Sequence, residues 1–433
     1  WQGFQRQSKN RAILEIMASK SASTLLDAPG SVFEARVKKF LPELIEFRRE
    51  VHQNPELSFK EFETTQRIFR RLEQAGMRPQ LFEGTGCFVD IGVGPFAVAL
   101  RADIDALPIE ETTGLEFASQ NPGVMHACGH DIHQTVMLGV ALVLHELNEQ
   151  SPLGRTVRII FQPAEEQLPG GAVELVKQGV LNGIPRAFAL HCEPKVDVGK
   201  IGTRIGAITS ASDTINIHLR GRGGHTSRPH LTEDLIFAMN QIAISVPAVL
   251  SRRTDVRSGV LVAWGQIHAG VAPNAIPSEG FLAGTMRCLD ADAWYRAGEM
   301  LDDVIEQIAA PYNVEVEVEH IRGVPPVVNT EAETTMVESA ARAELGEDVV
   351  VLVEQSMGGE DFAWMLQAVS GSMIRLGTRT PGGPTYDLHR DDYIPDERAI
   401  QCGVQIMAST AVRSVRWEIA KLSAQQFRSS NGF

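Results

Sequence analysis

Apolar side chains recur at helical spacing over residues 33–52, through Val37, Phe40, Leu41, Leu44 and Ile45, and Asn54-Pro55 ends the run. Residues 60–75 repeat the amphipathic pattern and stop at Gly76. Two short β-rich runs follow at 87–93 and 96–100, and then a long, largely buried helix over 131–147. An apolar strand is predicted at 157–161, a helix at 171–180 and a short strand at 187–190. Strand and helix in alternation predict an α/β layer built on a mostly parallel sheet.

The texture changes near residue 207. Residues 214–219 alternate apolar and polar, as in a strand solvated on one face. A helix is predicted at 232–250, strands at 260–267 and 280–286, a helix at 291–310 and a second alternating strand at 314–318. The order β-α-β-β-α-β is the ferredoxin-like signature. Residues 207–321 are therefore expected to form a small inserted domain. After Pro325-Pro326 the first texture resumes, with a helix at 331–345, a strand at 349–353, a helix at 360–367, a strand at 372–376 and a last helix from 396. The α/β domain is then composed of 33–206 and 322–420, and 1–32 is an N-terminal extension. Residues 1–16 are polar and basic, without the apolar core of a signal peptide. Met17 looks like a natural start, and 1–16 are expected to take no part in the fold.

The bulk numbers narrow the function classes. A chain of 433 residues exceeds one ordinary core, in keeping with two domains. The formal net charge of −14 argues against nucleic acid and anionic membrane as partners. Five scattered cysteines, an odd number, suit a reducing, cytoplasmic setting better than a disulfide framework. No apolar run is read as reaching the roughly 18 residues of a membrane span.

Candidate chemistry concentrates at five places. In Met125-His126-Ala127-Cys128-Gly129-His130-Asp131-Ile132-His133, a thiol and imidazoles crowd a loop–helix junction, where Cys128 and His130 can turn toward one metal ion. The bland alternative is a helix cap by Asp131. In Phe161-Gln162-Pro163-Ala164-Glu165-Glu166, two carboxylates follow an apolar strand at the sheet edge where α/β proteins place their sites. In extended chain they would point opposite ways, suiting one to metal and one to base; the alternative is a solvated surface pair. His191 ends a strand and His389 lies far downstream, and each alone reads as structural. Gly221-Arg222-Gly223-Gly224-His225-Thr226-Ser227 is a glycine-rich loop that could approach a ligand or simply be a hairpin.

Taken in order, these motifs resemble one family over about residues 33–420: the zinc peptidases that include aminoacylases, bacterial carboxypeptidases and succinyl-diaminopimelate desuccinylases. The closer resemblance is to the family M20 subfamily D amidohydrolases, namely hippurate hydrolases, N-acetyl-diaminopimelate deacetylases and plant auxin-conjugate hydrolases. Carrying it are Arg101-Ala-Asp103-Ile-Asp105-Ala-Leu-Pro108, Cys128-Gly-His130-Asp131, Pro163-Ala-Glu165-Glu166, Gly224-His225-Thr-Ser, Gly359-Glu360-Asp361-Phe362 and Leu388-His389. The resemblance implies a phosphorylase/hydrolase-like catalytic domain with a mostly parallel central sheet, and an inserted ferredoxin-like α+β lid or dimerisation domain. It implies Cys128, His130, Glu166, His191 and His389 as metal ligands and Glu165 as general base and acid. It implies His225 as stabiliser of the tetrahedral intermediate, reaching the site from the partner subunit in many relatives. Asn274 and Arg287 match positions near the substrate carboxylate. Most of the wider family has a metal-binding His where Arg101 stands, so no role for Asp103 carries over from it.

The resemblance also leads to an expectation of two divalent ions per subunit, from Zn, Mn, Co or Ni, in a homodimer or higher oligomer. A metal-held water, its pKa lowered from 15.7 to about 7, would attack the amide bond of an N-acyl amino acid or related small conjugate. Glu165 would take the water's proton and hand it to the leaving amine. A dipeptidase or carboxypeptidase on the same fold, or a metal-containing binding protein without catalysis, are the other readings.

Overall fold

The computed structural model describes residues 32–430. The N-terminal extension expected at 1–32 lies, apart from Val32, outside the described residues. The chain forms two compact units, one running to Gly206 and taking in Val328–Glu354 and the chain from Trp364, the other made of Ala207–Val327 and Gln355–Ala363.

The first unit is built on an eight-stranded sheet. Its spatial order is Gln80–Leu81, Cys87–Ile91, Thr156–Gln162, Phe96–Asp103, Arg186–Asp197, Ser370–Arg379, Ile201–Thr203 and Val350–Leu352. The four central strands, from Thr156–Gln162 to Ser370–Arg379, pair in parallel, while the Cys87–Ile91 and Ile201–Thr203 pairings flanking them are antiparallel. A parallel strand covered on both faces has no solvated side, so Ala97 through Asp103 is buried without a break. Helices Val32–Gln53, His130–Gln150 and Arg398–Ser430 pack on one another, and the latter two also contact the sheet. His130–Gln150 is buried continuously from His130 to Leu144, because it lies under both neighbouring helices. Gly139 permits that closeness: a Cβ there would lie 2.6 Å from Val404 Cγ2 and 2.8 Å from Leu44 Cδ1.

The second unit has four antiparallel strands in the order Leu261–Ala269, Glu279–Cys288, Ala211–Arg220 and Glu315–Val324, with helices Leu235–Arg253 and Ala291–Ala309 packed together against them. This is the ferredoxin-like order. Two sequence readings need correction here. Residues 322–327 and 355–363 cluster with this unit rather than with the sheet domain: Ile208 N donates to Val327 O, Ser210 donates through N and Oγ to the carbonyls of Gly358 and Met357, and Ser356 N donates to Ile208 O. Helix Leu235–Arg253 is, by length and composition, apolar enough to cross a membrane. Its buried residues Leu235, Ala238, Met239, Ile242, Val246 and Leu250 recur at helical spacing and face the unit's own core.

Candidate active site

Five side chains able to ligate a metal, Cys128, His130, Glu166, His191 and His389, converge in the first unit from four separate stretches of chain. Gly129, at φ 86° and with a would-be Cβ 2.8 Å from Cys192 Sγ, folds the loop so that Cys128 and His130 turn to one side. Strand Arg186–Asp197 carries His191 to the same place, its Nε2 3.4 Å from Cys128 Sγ. His389, left-handed at φ 61° and tied by its N–H to Ala127 O, brings Nε2 to 3.4 Å from Glu166 Oε1. Three overlapping groups result: Cys128, His130 and His191; Cys128, Glu166 and His389; and His130, Glu165 and Glu166.

The expectation that the adjacent glutamates point opposite ways is not met. The strand ends at Gln162, and Ala164 takes φ 55°, a left-handed turn costing an L-residue about 1–2 kcal/mol. Both carboxylates thereby reach the same point, Glu165 Oε2 and Glu166 Oε1 each 3.8 Å from His130 Nε2.

These residues fit a bound cation. Among the described residues His130 Nε2 is buried without a hydrogen-bond partner, a costly condition for a polar atom unless something else satisfies it. Donors on a tetrahedral ion with bonds of about 2.0–2.3 Å stand about 3.3–3.6 Å apart, close to the spacings observed. The imidazole tautomers agree. His130 Nδ1 donates to Asp105 O at 3.0 Å and His191 Nδ1 to Cys192 O at 2.8 Å, so each presents Nε2 as the open nitrogen. Burial pushes the His130 imidazole down, but Asp103, Asp105 and Glu166 outweigh it and hold it up at about 10. Burial together with Glu166 and Glu165 pushes the Cys128 thiol well above its ordinary value. Both shifts describe a pocket that favours positive charge, and a cation satisfies it while keeping the thiolate.

Residues 99–413 match the family model of peptidase family M20/M25/M40. The chain belongs to this family. It is 44% identical over 369 residues to a Rhodococcus jostii (strain RHA1) protein named as a glutamate–cysteine ligase, a match covering 84% of this chain and 46% of that one. The ligase name thus describes a protein about half of which this chain spans. The chain is 39% identical over 364 residues to the N-acetyl-L-cysteine deacetylase of Bacillus subtilis (strain 168), covering 83% of this chain and 85% of that one. Among solved structures it resembles a dinuclear metal-binding peptidase of the M20 family from Bacillus subtilis, with a TM-score of 0.74, 36% identity and coverage of 87% and 98%.

In this M20 protein the shell behind the candidate ligands was only partly visible in sequence. Asp105 joins the two ligand-bearing segments: Oδ2 accepts Glu166 N–H at 2.9 Å and Ser58 Oγ–H at 2.6 Å, and Oδ1 lies 3.2 Å from His130 Nδ1. Both ring nitrogens of His133 are engaged: Nδ1 meets Asp103 Oδ1 at 2.6 Å and Nε2 accepts Cys192 N–H at 2.8 Å. The other oxygen of Asp103 accepts Arg101 Nη1–H at 2.6 Å, and Oδ1 is 3.7 Å from His130 Nε2. Helix capping does not explain Asp131 either. The cap residue is Gly129, and Asp131 Oδ2 instead lies 2.7 Å from Arg48 Nε and 2.8 Å from His52 Nδ1.

Burial pushes Asp131 up, but Arg48 and His52 outweigh it and hold the carboxyl far below 3.8. A depressed carboxylate adds stability above its unfolded value and loses it as pH falls. Asp131→Asn is therefore expected to cost about 3–5 kcal/mol at pH 7. The gap from wild type should narrow below about pH 4. Urea unfolding of both metal-free proteins at pH 7, 5 and 3 checks this; an equal gap at every pH would remove the ion pair as its source.

The remaining predicted residues lie in the second unit. His225, exposed, pairs in register with Ala275, and Thr226 N donates to Asn274 O, so His225 and Asn274 sit side by side. His225 Nδ1 accepts Ser227 N–H at 3.1 Å, leaving Nε2 as the donor of the neutral ring. Arg287, on strand Glu279–Cys288, donates from Nη1 to Met357 O.

Proposed function

We propose that this M20-family metal-dependent amidohydrolase removes the acyl group from an N-acylated amino acid or a similar small conjugate, as a member of the amidohydrolase subfamily its motifs resemble. The carrying observation is the left-handed Ala164 turn, which aims two adjacent carboxylates at one cluster of Cys and His donors. A site meant only to hold metal has no use for the second carboxylate.

Cys128, His130, Glu166, His191 and His389 would hold two divalent ions from among Zn, Mn, Co and Ni. Bound there, the ions supply Lewis acidity and lower the pKa of water from 15.7 to about 7. Glu165 takes the proton of the attacking water and returns it to the amine as the C–N bond breaks. His225, with Nε2–H as donor, stabilises the developing oxyanion, a contribution of about 3–4 kcal/mol for a well-placed group. Asn274 and Arg287 hold the carboxylate of the amino-acid half. An arrangement in which His225 comes from the second subunit of a homodimer is consistent with its exposure and with its place in a separate compact unit.

The test is a panel of N-acetyl, N-benzoyl and indole-acetyl amino acids against simple dipeptides, with and without chelator. Chelator-sensitive release of amino acid from the acyl compounds, at least about tenfold faster than from dipeptides, is expected. Faster dipeptide cleavage would assign a dipeptidase, and no turnover in any metal-loaded form would leave a binding protein.

A further inference from the structure

We propose that Glu61 is a positioning residue of the reaction: its buried carboxylate sets the turn that aims Glu165 and Glu166. None of the sequence motifs assigns it a task. Glu61 lies just ahead of helix Phe62–Gln74, is fully buried and belongs to the same compact unit as the metal-ligand cluster.

One oxygen makes most of the contacts. Glu61 Oε1 accepts Phe59 N–H at 3.0 Å and Ala164 N–H at 2.8 Å. Phe59 and Ala164 are two of the four non-glycine residues with positive φ among the described residues, at 61° and 55°. A single carboxylate oxygen thus pins two strained backbone positions that are 105 residues apart in sequence. The other oxygen, Oε2, accepts Thr85 Oγ1–H at 2.6 Å. The far side of Ala164 is held as well, its carbonyl accepting Gly171 N–H at 2.9 Å. The turn is clamped from both ends, and the next two residues are the paired glutamates.

The same loop makes a second, parallel connection. Ser58 Oγ donates to Asp105 Oδ2, and that oxygen also accepts the backbone N–H of Glu166. Residues 58–61 therefore fix both the start of the turn and its end. Unclamped, Ala164 would relax toward ordinary negative φ, and both carboxylates would swing from the point they now share near His130 Nε2.

The Phe59 and Ala164 N–H groups and the Thr85 hydroxyl that donate to Glu61 are neutral, so the contact depends on acceptor geometry more than on charge. Burial pushes Glu61 up to about 7, against the Thr85 and backbone hydrogen bonds that pull it down. A proton on Oε2 would leave Oε1 accepting both N–H groups, with the Thr85 hydroxyl turned to accept. A glutamine can make the same set of bonds.

The inference rests on the hydrolase reading, and the experiment separates the two. Wild type, Glu61→Ala, Glu61→Gln and Glu165→Gln are loaded with Co(II) and assayed on an N-acetyl amino acid, and their visible absorption is recorded. Glu61→Ala is expected to lose about 10²-fold in kcat, the scale of a misplacement near 1 Å, with KM within about threefold. Its Co(II) bands should shift, because Glu166 moves with the turn. Glu61→Gln should recover kcat to within about fivefold of wild type and restore the bands. Wild-type kcat in Glu61→Ala, unshifted bands, or a Glu61→Gln as slow as Glu61→Ala would each overturn the assignment. If Glu61→Ala does not fold, Glu61→Asp, one methylene too short to reach Ala164 N, takes its place with the same expectations. A fully active Glu165→Gln would instead overturn the hydrolase reading itself.

Discussion

Glu165→Gln is expected to lower kcat by about 10²–10⁴-fold while leaving metal stoichiometry unchanged. The amide keeps the size and the hydrogen-bonding reach of the carboxylate, so replacing Glu165, which is only 7% exposed, leaves no void. It cannot take a proton, so on the proposed mechanism the step that turns water into nucleophile loses its base. The five proposed ligands, Cys128, His130, Glu166, His191 and His389, are untouched by the substitution. Single-turnover kinetics and elemental analysis on the same preparation separate the two effects. A variant with near-normal kcat, or one that has lost metal along with activity, would end Glu165's role as base.

Cys128→Ala is expected to weaken metal binding by more than the roughly 10–100-fold typical of groups behind the ligands, and activity at limiting metal should fall in step. Cys128 belongs both to the group with His130 and His191 and to the group with Glu166 and His389. Its loss therefore reaches both clusters, whereas loss of His191 or His389 alters one. Dialysis against buffered metal followed by elemental analysis measures the change directly. Cys128→Ser should bind the softer, thiolate-preferring ions less well than wild type while keeping more affinity for Mn. Unaltered metal content in Cys128→Ala would remove the thiol from the ligand set.

Much of the fold was legible because it depends on local pattern. The helices from 32, 62, 130, 235, 291, 331 and 398 and the β-α-β-β-α-β order all follow from apolar periodicity and from breakers such as Asn54-Pro55 and Gly76. The central strands proved longer than their apolar runs. Phe96–Asp103 continues through Arg101 and Asp103, and Arg186–Asp197 through His191. Charged residues in a strand look like its end when no partner is visible. Here Arg101 and Asp103 pair with each other, and Asp103 with His133, inside the protein.

Glu61 illustrates the opposite limit. At the head of an amphipathic helix, a lone glutamate reads as a solvated first-turn charge. Its burial depends on Ala164, 103 residues away, closing over it. Asp131 is similar: local rules make it a cap, and only the arrival of helix Val32–Gln53 with Arg48 and His52 turns it into half of a buried ion pair.

By itself the sequence determined which residue types were available for chemistry, which stretches were helix or strand, and the family to which their order belongs, since each depends on neighbours a few positions apart. Tertiary structure alone decided that the two glutamates face the same way, that His133 and Asp103 are committed to other partners, and that Glu61 holds the turn. Those outcomes depend on distances between segments far apart in the chain, such as the 103 residues that separate Glu61 from Ala164, and no local period encodes them.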